Sequence, residues 1–196
     1  MFLASAFFSS VVIGFAAATR QRVEANEMLA FERAVVSVVP GLYEPGLSGV
    51  EIHRRFTERL NEPSEEAAGA YTLQQDGRIV AYALPISGQG FWAPIKGVIG
   101  IKADRKTVTG IAFYEQNETP GLGAEITQPP FRSQFEALTF SADDKPVRIV
   151  RPGAELGSGQ VHAVTGATQT SVRVEKIINS AVTTWRSRVG RTEAAS

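Results

Sequence analysis

Asp76-Gly77 separates two segments of strand character, Tyr71-Thr72-Leu73-Gln74 and Arg78-Ile79-Val80-Ala81-Tyr82-Ala83-Leu84. A two-residue hairpin loop needs positive φ at its central positions, which Asp-Gly adopts at little cost, so the segments are expected to pair antiparallel. Residues 98–102 and 107–115 form a second apolar pair around the polar Asp104-Arg105-Lys106. Further on, Pro129-Pro130 opens a helix carrying Phe131, Phe135 and Leu138, because proline suits the first helical turn. Residues 147–150 read as another strand. Residues 172–189 read as the last helix, with Val174, Ile178, Ala181 and Trp185 on one face. Strands come in neighbouring pairs, helices come at intervals, and regular strand–helix alternation is missing. The expected class is α+β, a largely antiparallel sheet with flanking helices.

One N-terminal transmembrane helix is expected to precede this sheet. Residues 2–18 carry no charge and include Phe7, Phe8, Val11, Val12, Ile13 and Phe15. That run reaches the lower limit of about 17 residues for crossing a bilayer. A cleaved signal segment is the alternative, since Ala16-Ala17-Ala18 suits a signal peptidase. Residues 1–19 are therefore assigned as anchor or signal. No Lys or Arg precedes the run, whereas Arg20 and Arg22 follow it, and charge alone places the following chain in the cytoplasm. Residues 23–39 form an amphipathic helix with Met28, Phe31, Val35 and Val38 near one face, stopped by Pro40-Gly41. A shorter helix over residues 50–60 spaces Ile52, Phe56 and Leu60 by four. Residues 20–69 are read as a helical connector, 70–190 as the main domain and 191–196 as a disordered tail.

Composition removes several chemistries. Lys plus Arg number 20 and Asp plus Glu number 20, so the formal charge is zero and no basic stripe favours nucleic acid. There is no cysteine, which excludes disulfides, thiol nucleophiles and cysteine-ligated iron–sulfur clusters. His53 and His162 are the two histidines, too dispersed to suggest a metal site, and each is read as a surface residue. No Ser-His-Asp or paired-carboxylate arrangement stands out, so no catalytic residue is assigned. Redox chemistry in such a chain needs a cofactor held by other side chains.

Val161-His162-Ala163-Val164-Thr165-Gly166-Ala167-Thr168-Gln169-Thr170-Ser171 offers a place for one. Small residues and hydroxyls crowd into a turn that runs straight into a helix. Unpaired N–H groups and the positive dipole end at a helix start favour a phosphate. Gly166 and Ala167 keep bulk away, and Thr168 brings a hydroxyl to the same spot. An ordinary hydroxyl-rich turn, with Thr170 or Ser171 as N-cap, fits the same residues.

Thr165-Gly166-Ala167-Thr168 followed by Thr170-Ser171 resembles the flavinylation motif of the FMN-binding domain family. That family includes the C subunit of sodium-translocating NADH:quinone reductase and the G subunit of the Rnf electron-transport complex. Glu118-Thr119-Pro120-Gly121-Leu122-Gly123-Ala124-Glu125-Ile126, with Phe113-Tyr114-Glu115-Gln116 before it, is similar to the family's second signature. Gly88-Gln89-Gly90-Phe91-Trp92 resembles a Gly-x-Gly-x-Trp block typical of the quinone-reductase member. The likeness spans residues 71–185, with the blocks in the family's order.

The resemblance implies FMN joined to Thr168 through a phosphoester, made by a separate magnesium-dependent flavin transferase that uses FAD as donor. It also implies that the turn Thr165, Gly166, Ala167 and Thr170 holds the phosphate. Glu118, Thr119, Gly121, Leu122 and Gly123 then line the ring, with Gly121 and Gly123 admitting main chain to it. The same glycines also suit a plain turn, and Trp92 reads either as a stacking surface or as core. The family usually carries Asp three residues before the core Ser/Thr, where this chain has His162. The implied setting is the bacterial inner membrane, single-pass, with the soluble domain on the periplasmic or external face. Other subunits of a membrane redox complex are the implied partners, along with lipid around the N-terminal helix. A stand-alone tethered flavin domain serving another reductase and a non-redox structural subunit are the alternatives.

Overall fold

In the computed structural model, the Asp76-Gly77 turn forms with φ of 50° and 73° and joins β2 (Tyr71–Gln75) to β3 (Arg78–Gln89). The structure describes residues 2–142 and 144–194, with side chains for 7–16, 18–142 and 144–191. β1 (Leu60–Asn61), β4 (Pro94–Lys102) and β5 (Val108–Glu115) complete an antiparallel five-stranded sheet in sequential order. Both expected hairpins are therefore present, and the α+β class holds. β1 was not expected, since its two residues lie at the edge of a polar segment. It pairs Leu60 with Leu73 and Asn61 with Thr72.

Side chains alternate across a strand, so each face of the sheet makes its own core. Tyr82, Leu84, Ile86, Ile95, Ile99 and Ile101 point to one face, where α4 (Thr168–Ala194) covers them with Val174, Ile178, Val182 and Trp185. Trp185 lies edge-on to Tyr82 and donates its indole N–H to the Ala67 carbonyl. The other face presents Leu73, Ala81, Ala83, Val98 and Ala112 to α1 (Phe2–Val38) and α2 (Gly49–Arg59). Val35, Val36, Val38 and Ile52 fill that layer. The segment read as a connector thus contributes core to the sheet. Gly100 opposite Gly110 permits this approach, because a Cβ on Gly100 would lie 2.3 Å from the Val38 carbonyl oxygen. The Thr109 hydroxyl donates to that same carbonyl at the end of α1. Exposed His53 on α2 bonds the buried Glu32 carboxylate of α1 at 2.8 Å.

Several boundaries differ from expectation, with β3 and β4 longer than the residues 78–84 and 98–102 read from sequence. α1 is one continuous helix, because no proline or other breaker separates the apolar run from the amphipathic one. Among the described residues no helix is long and apolar enough to cross a membrane. The anchor expected over residues 1–19 includes Met1, which lies outside the described residues. α4 starts at Thr168, four residues before the apolar periodicity becomes visible, and continues through Ala194. Residues 191–194 are therefore helical rather than a disordered tail, and Ala195 and Ser196 lie outside the described residues. The Pro129-Pro130 helix is short, α3 (Pro129–Arg132) followed by a 3-10 turn at Ser133–Phe135, and Ala137 at φ 60° reverses the chain.

β6 (Arg148–Val150) pairs in parallel with β7 (Gln160–His162), a strand the sequence did not announce. α4 closes the free edge of this ribbon with side chains. Asn179 bonds both the N–H and the carbonyl of Val147, and Glu175 accepts the Ile149 N–H.

Candidate functional site

Antiparallel order places the end of β3, the start of β4 and the end of β5 at one end of the sheet. β7 delivers the chain to the same end, where the turn at residues 163–167 enters α4. The three motif blocks of the sequence, residues 88–92, 118–126 and 165–171, therefore meet. Their meeting point is a side chain. Glu118 is 5% exposed, and its Oε1 accepts the N–H groups of Phe91 at 2.9 Å and Trp92 at 3.1 Å. Its Oε2 accepts the Thr170 hydroxyl at 2.6 Å. Gln116 Oε1 in turn accepts the Glu118 N–H at 2.7 Å.

Around this buried carboxylate the motif glycines are tightly packed. A Cβ on Gly90 would lie 2.6 Å from Glu118 Oε1 and 2.6 Å from the Ala93 carbonyl. One on Gly123 would lie 2.5 Å from Thr170 Oγ1 and 2.9 Å from Glu118 Oε2. Gly121 differs, with φ 74° and open space around it, so its requirement is the left-handed backbone.

Above the buried layer the surface is open. Thr168 is exposed at the first position of α4, beside exposed Thr165 and Gly166, while Ala167 is buried. The N–H groups of a first helical turn have no intrahelical acceptor, and Ala167 brings no side-chain oxygen to cap them. Thr170 and Ser171 do not serve as N-caps. Thr170 turns inward to Glu118, and Ser171 Oγ accepts the Val164 N–H at 3.3 Å. Gly166, at φ 76°, sits under Leu122, whose Cδ2 would be 2.9 Å from a Cβ there. Leu122 is 42% exposed and Trp92 66% exposed, so Trp92 is a surface ring and not core. It lies edge-on to Phe91 at 4.8 Å, and its indole N–H donates to Thr119 Oγ1 at 3.2 Å. The Thr119 hydroxyl keeps its own proton to donate elsewhere.

Contacts between the blocks thus join Trp92 to Glu118 and Thr119, Thr170 to Glu118 and Gly123, and Leu122 to Gly166, while Gly121, Thr165, Ala167 and Thr168 lie in the same loops and the α4 start. Phe91, Gly90 and Gln116 join them in supporting positions that the motifs contained but that gave no sign of their role. His162 does not face the turn. Its Nε2 bonds the Ala154 carbonyl at 2.9 Å, and its backbone N–H donates to Gln134 Oε1 at 2.7 Å. A cavity of about 620 Å3 between α1 and β5, lined by Leu29, Arg33, Tyr114 and Arg132 among others, shares no residue with the three blocks.

These residues fit FMN. A phosphate needs the open N–H groups at the start of α4, and an isoalloxazine ring needs an apolar surface such as Trp92 and Leu122. Thr168 adds an exposed hydroxyl at the start of α4.

Residues 90–183 match the FMN-binding domain family. The chain is 25% identical to the C subunit of Na(+)-translocating NADH-quinone reductase of Pseudomonas aeruginosa over 221 residues, 87% of this chain and 85% of that protein. Its likeness to the corresponding Vibrio vulnificus protein is 38% over 108 residues, covering 54% of this chain and only 42% of that protein. Two crystal structures share the fold. The C subunit of the Parabacteroides distasonis reductase superposes with a TM-score of 0.70 at 24% identity, over 88% of this chain and 96% of that one. NqrC from Shewanella oneidensis gives 0.69 at 20% identity, over 88% and 99%. The matched region, residues 90–183, covers Phe91, Trp92, Glu118 and Thr170, so the similarity to the FMN-binding domain family falls on the residues that converge from all three blocks.

Proposed function

We propose that this chain is an electron-transfer flavoprotein carrying FMN on Thr168, and that it works as the C subunit of an ion-translocating NADH:quinone reductase. The observation that carries this reading is Thr168 itself, exposed at the first position of α4 within a Thr-Gly-Ala-Thr turn. The open N–H groups of that turn hold the phosphate, with Thr165, Gly166 and Ala167 shaping its approach. Trp92, Leu122 and the Thr119 hydroxyl border the ring. Attachment forms a bond from Thr168 Oγ to phosphorus as the pyrophosphate of FAD breaks, AMP leaves and the hydroxyl proton is released. A flavin transferase carries out that step. Once bound, FMN accepts and passes on one or two electrons, while the protein supplies position and environment.

The same reading places the chain at the bacterial inner membrane, with the flavin domain on the external face and other subunits of the complex beside it. Support comes from Phe7, Phe8, Val11, Val12, Ile13 and Phe15, all exposed on α1. Exposed aromatic and branched apolar side chains in an uncharged helical stretch suit contact with an apolar medium. The test is expression with a flavin transferase and export, followed by denaturing electrophoresis. Wild type is expected to give a flavin-fluorescent band, and Thr168→Ala to abolish it. A dark wild-type band, alongside a modified control protein, would overturn the covalent assignment.

A further inference from the structure

Glu118 is a buried carboxylate whose side-chain hydrogen bonds are made to the protein itself. Two of its partners are main-chain N–H groups 26 and 27 residues earlier, and the third is a hydroxyl 52 residues later. Gly90 and Gly123, the glycines of two different motifs, lack side chains where a Cβ would strike this carboxylate or its Thr170 partner. The motifs are therefore tied together below the surface that they expose above.

We propose that Glu118 is a positioning residue that sets the relative placement of Trp92 and the Thr168 turn before any ligand arrives. This rests on the flavin reading of the site. Buried donors left without an acceptor are costly, so side-chain oxygens that accept from all three hold them in place. Glu118 acts through two arms. One holds the Phe91 and Trp92 main chain, and with it the exposed indole that reaches Thr119. The other holds Thr170, the third residue of α4, and so fixes the first helical turn that presents Thr168. Holding both arms in advance lowers the ordering cost of binding.

Side-chain chemistry separates positioning from direct contact. In Glu118→Gln the amide oxygen still accepts the two N–H groups, and the amide nitrogen donates to Thr170 Oγ, whose hydroxyl turns from donor to acceptor. Glu118→Ala leaves all three donors without their acceptor. Two measurements on the full chain test the proposal. Iodide quenching of tryptophan emission reads exposed Trp92 in the flavin-free protein, while Trp185, 2% exposed, stays unquenched and reports that the fold is intact. Flavin incorporation by a transferase supplied with FAD reads the site.

Glu118→Ala is expected to change Trp92 quenching and slow incorporation by about tenfold or more, the scale of leaving a buried donor unpaired. Glu118→Gln is expected to match wild type in quenching and to stay within about twofold in incorporation. If Glu118→Ala exposes Trp185, Thr170→Val removes one arm alone and is expected to slow incorporation by roughly threefold to tenfold. Unchanged quenching and incorporation in Glu118→Ala, or in Thr170→Val where that variant replaces it, would overturn the proposal. So would Glu118→Gln failing as badly as Glu118→Ala, which would make the charge itself the requirement. If wild type takes up no flavin, the flavin reading falls by itself, and the Trp92 measurement still decides whether this carboxylate holds the loops.

Discussion

Gly121 and Gly123 stand two residues apart in one motif and meet opposite constraints. Gly121 needs its positive φ and has nothing near it, whereas Gly123 needs room against Thr170 and Glu118. Gly121→Ala is expected to cost about 1 kcal/mol, the penalty of left-handed backbone for an L-residue. Gly123→Ala is expected to cost roughly 1–3 kcal/mol through overpacking and to disturb the Thr170 bond as well. Urea denaturation of the two variants checks this, and equal or reversed losses would contradict the packing around Gly123. Sequence marked both positions as motif glycines, with a ligand or a plain turn as the reason. It could not separate backbone freedom from space, because the neighbour that crowds Gly123 arrives from residue 170. His162 teaches the same lesson, since a departure within a motif says nothing about where the ring points.

At the scale of elements, local chemistry was most legible where it is self-contained. The Asp76-Gly77 hairpin needs only its own residues, and α2 likewise carries its own cap, with Ser48 Oγ accepting the Glu51 N–H at 3.2 Å. Glu51 then bonds Arg54 and Arg55, and these guanidiniums, Arg54 first, hold its carboxyl down to about 2 from 4.5. A carboxyl lowered on folding stabilises above its unfolded value, and that contribution disappears as pH falls through the folded value. Stability should therefore decline between about pH 4.5 and 2, and Glu51→Gln should lose less over that window. Thermal unfolding of both proteins across those pH values checks the difference, and parallel curves would contradict it. By contrast, β1 and β7 are two or three residues long and were invisible. Their pairing depends on partners 11 to 13 residues away, and for β7 also on the α4 side chains that hold its partner β6 in place.

For the whole molecule, the decisive feature is the division of α1 into an exposed half and a packed half. Side chains at residues 20–28 are exposed, whereas Ala34, Val35, Val36 and Val38 belong to the core beneath the sheet. Among the described side chains, removing residues 2–19 deletes none that belongs to either hydrophobic core. The shortened protein should keep its Tm within about 3 °C, since loss of exposed residues away from packed features changes stability by little. The full chain should float with lipid vesicles in a density gradient, and the shortened chain should not. Equal flotation of both would remove the membrane assignment for this segment.

Strand pairing in the two hairpins, the helix start at Pro129-Pro130 and the flavin motifs are properties of short windows. They follow from backbone preferences and residue spacing, so the sequence by itself determined the α+β class and the blocks that form the site. What the tertiary structure alone decided is which groups face one another across long separations. Part of the expected connector, residues 29–60, became a core layer because Gly100, Gly110 and the small residues on one sheet face admit α1. Trp92 became a surface ring and Glu118 a buried link because the ends of three strands and one helix converge there. Such placements come from packing, in which a residue's surroundings are supplied by distant chain, and no local pattern encodes them.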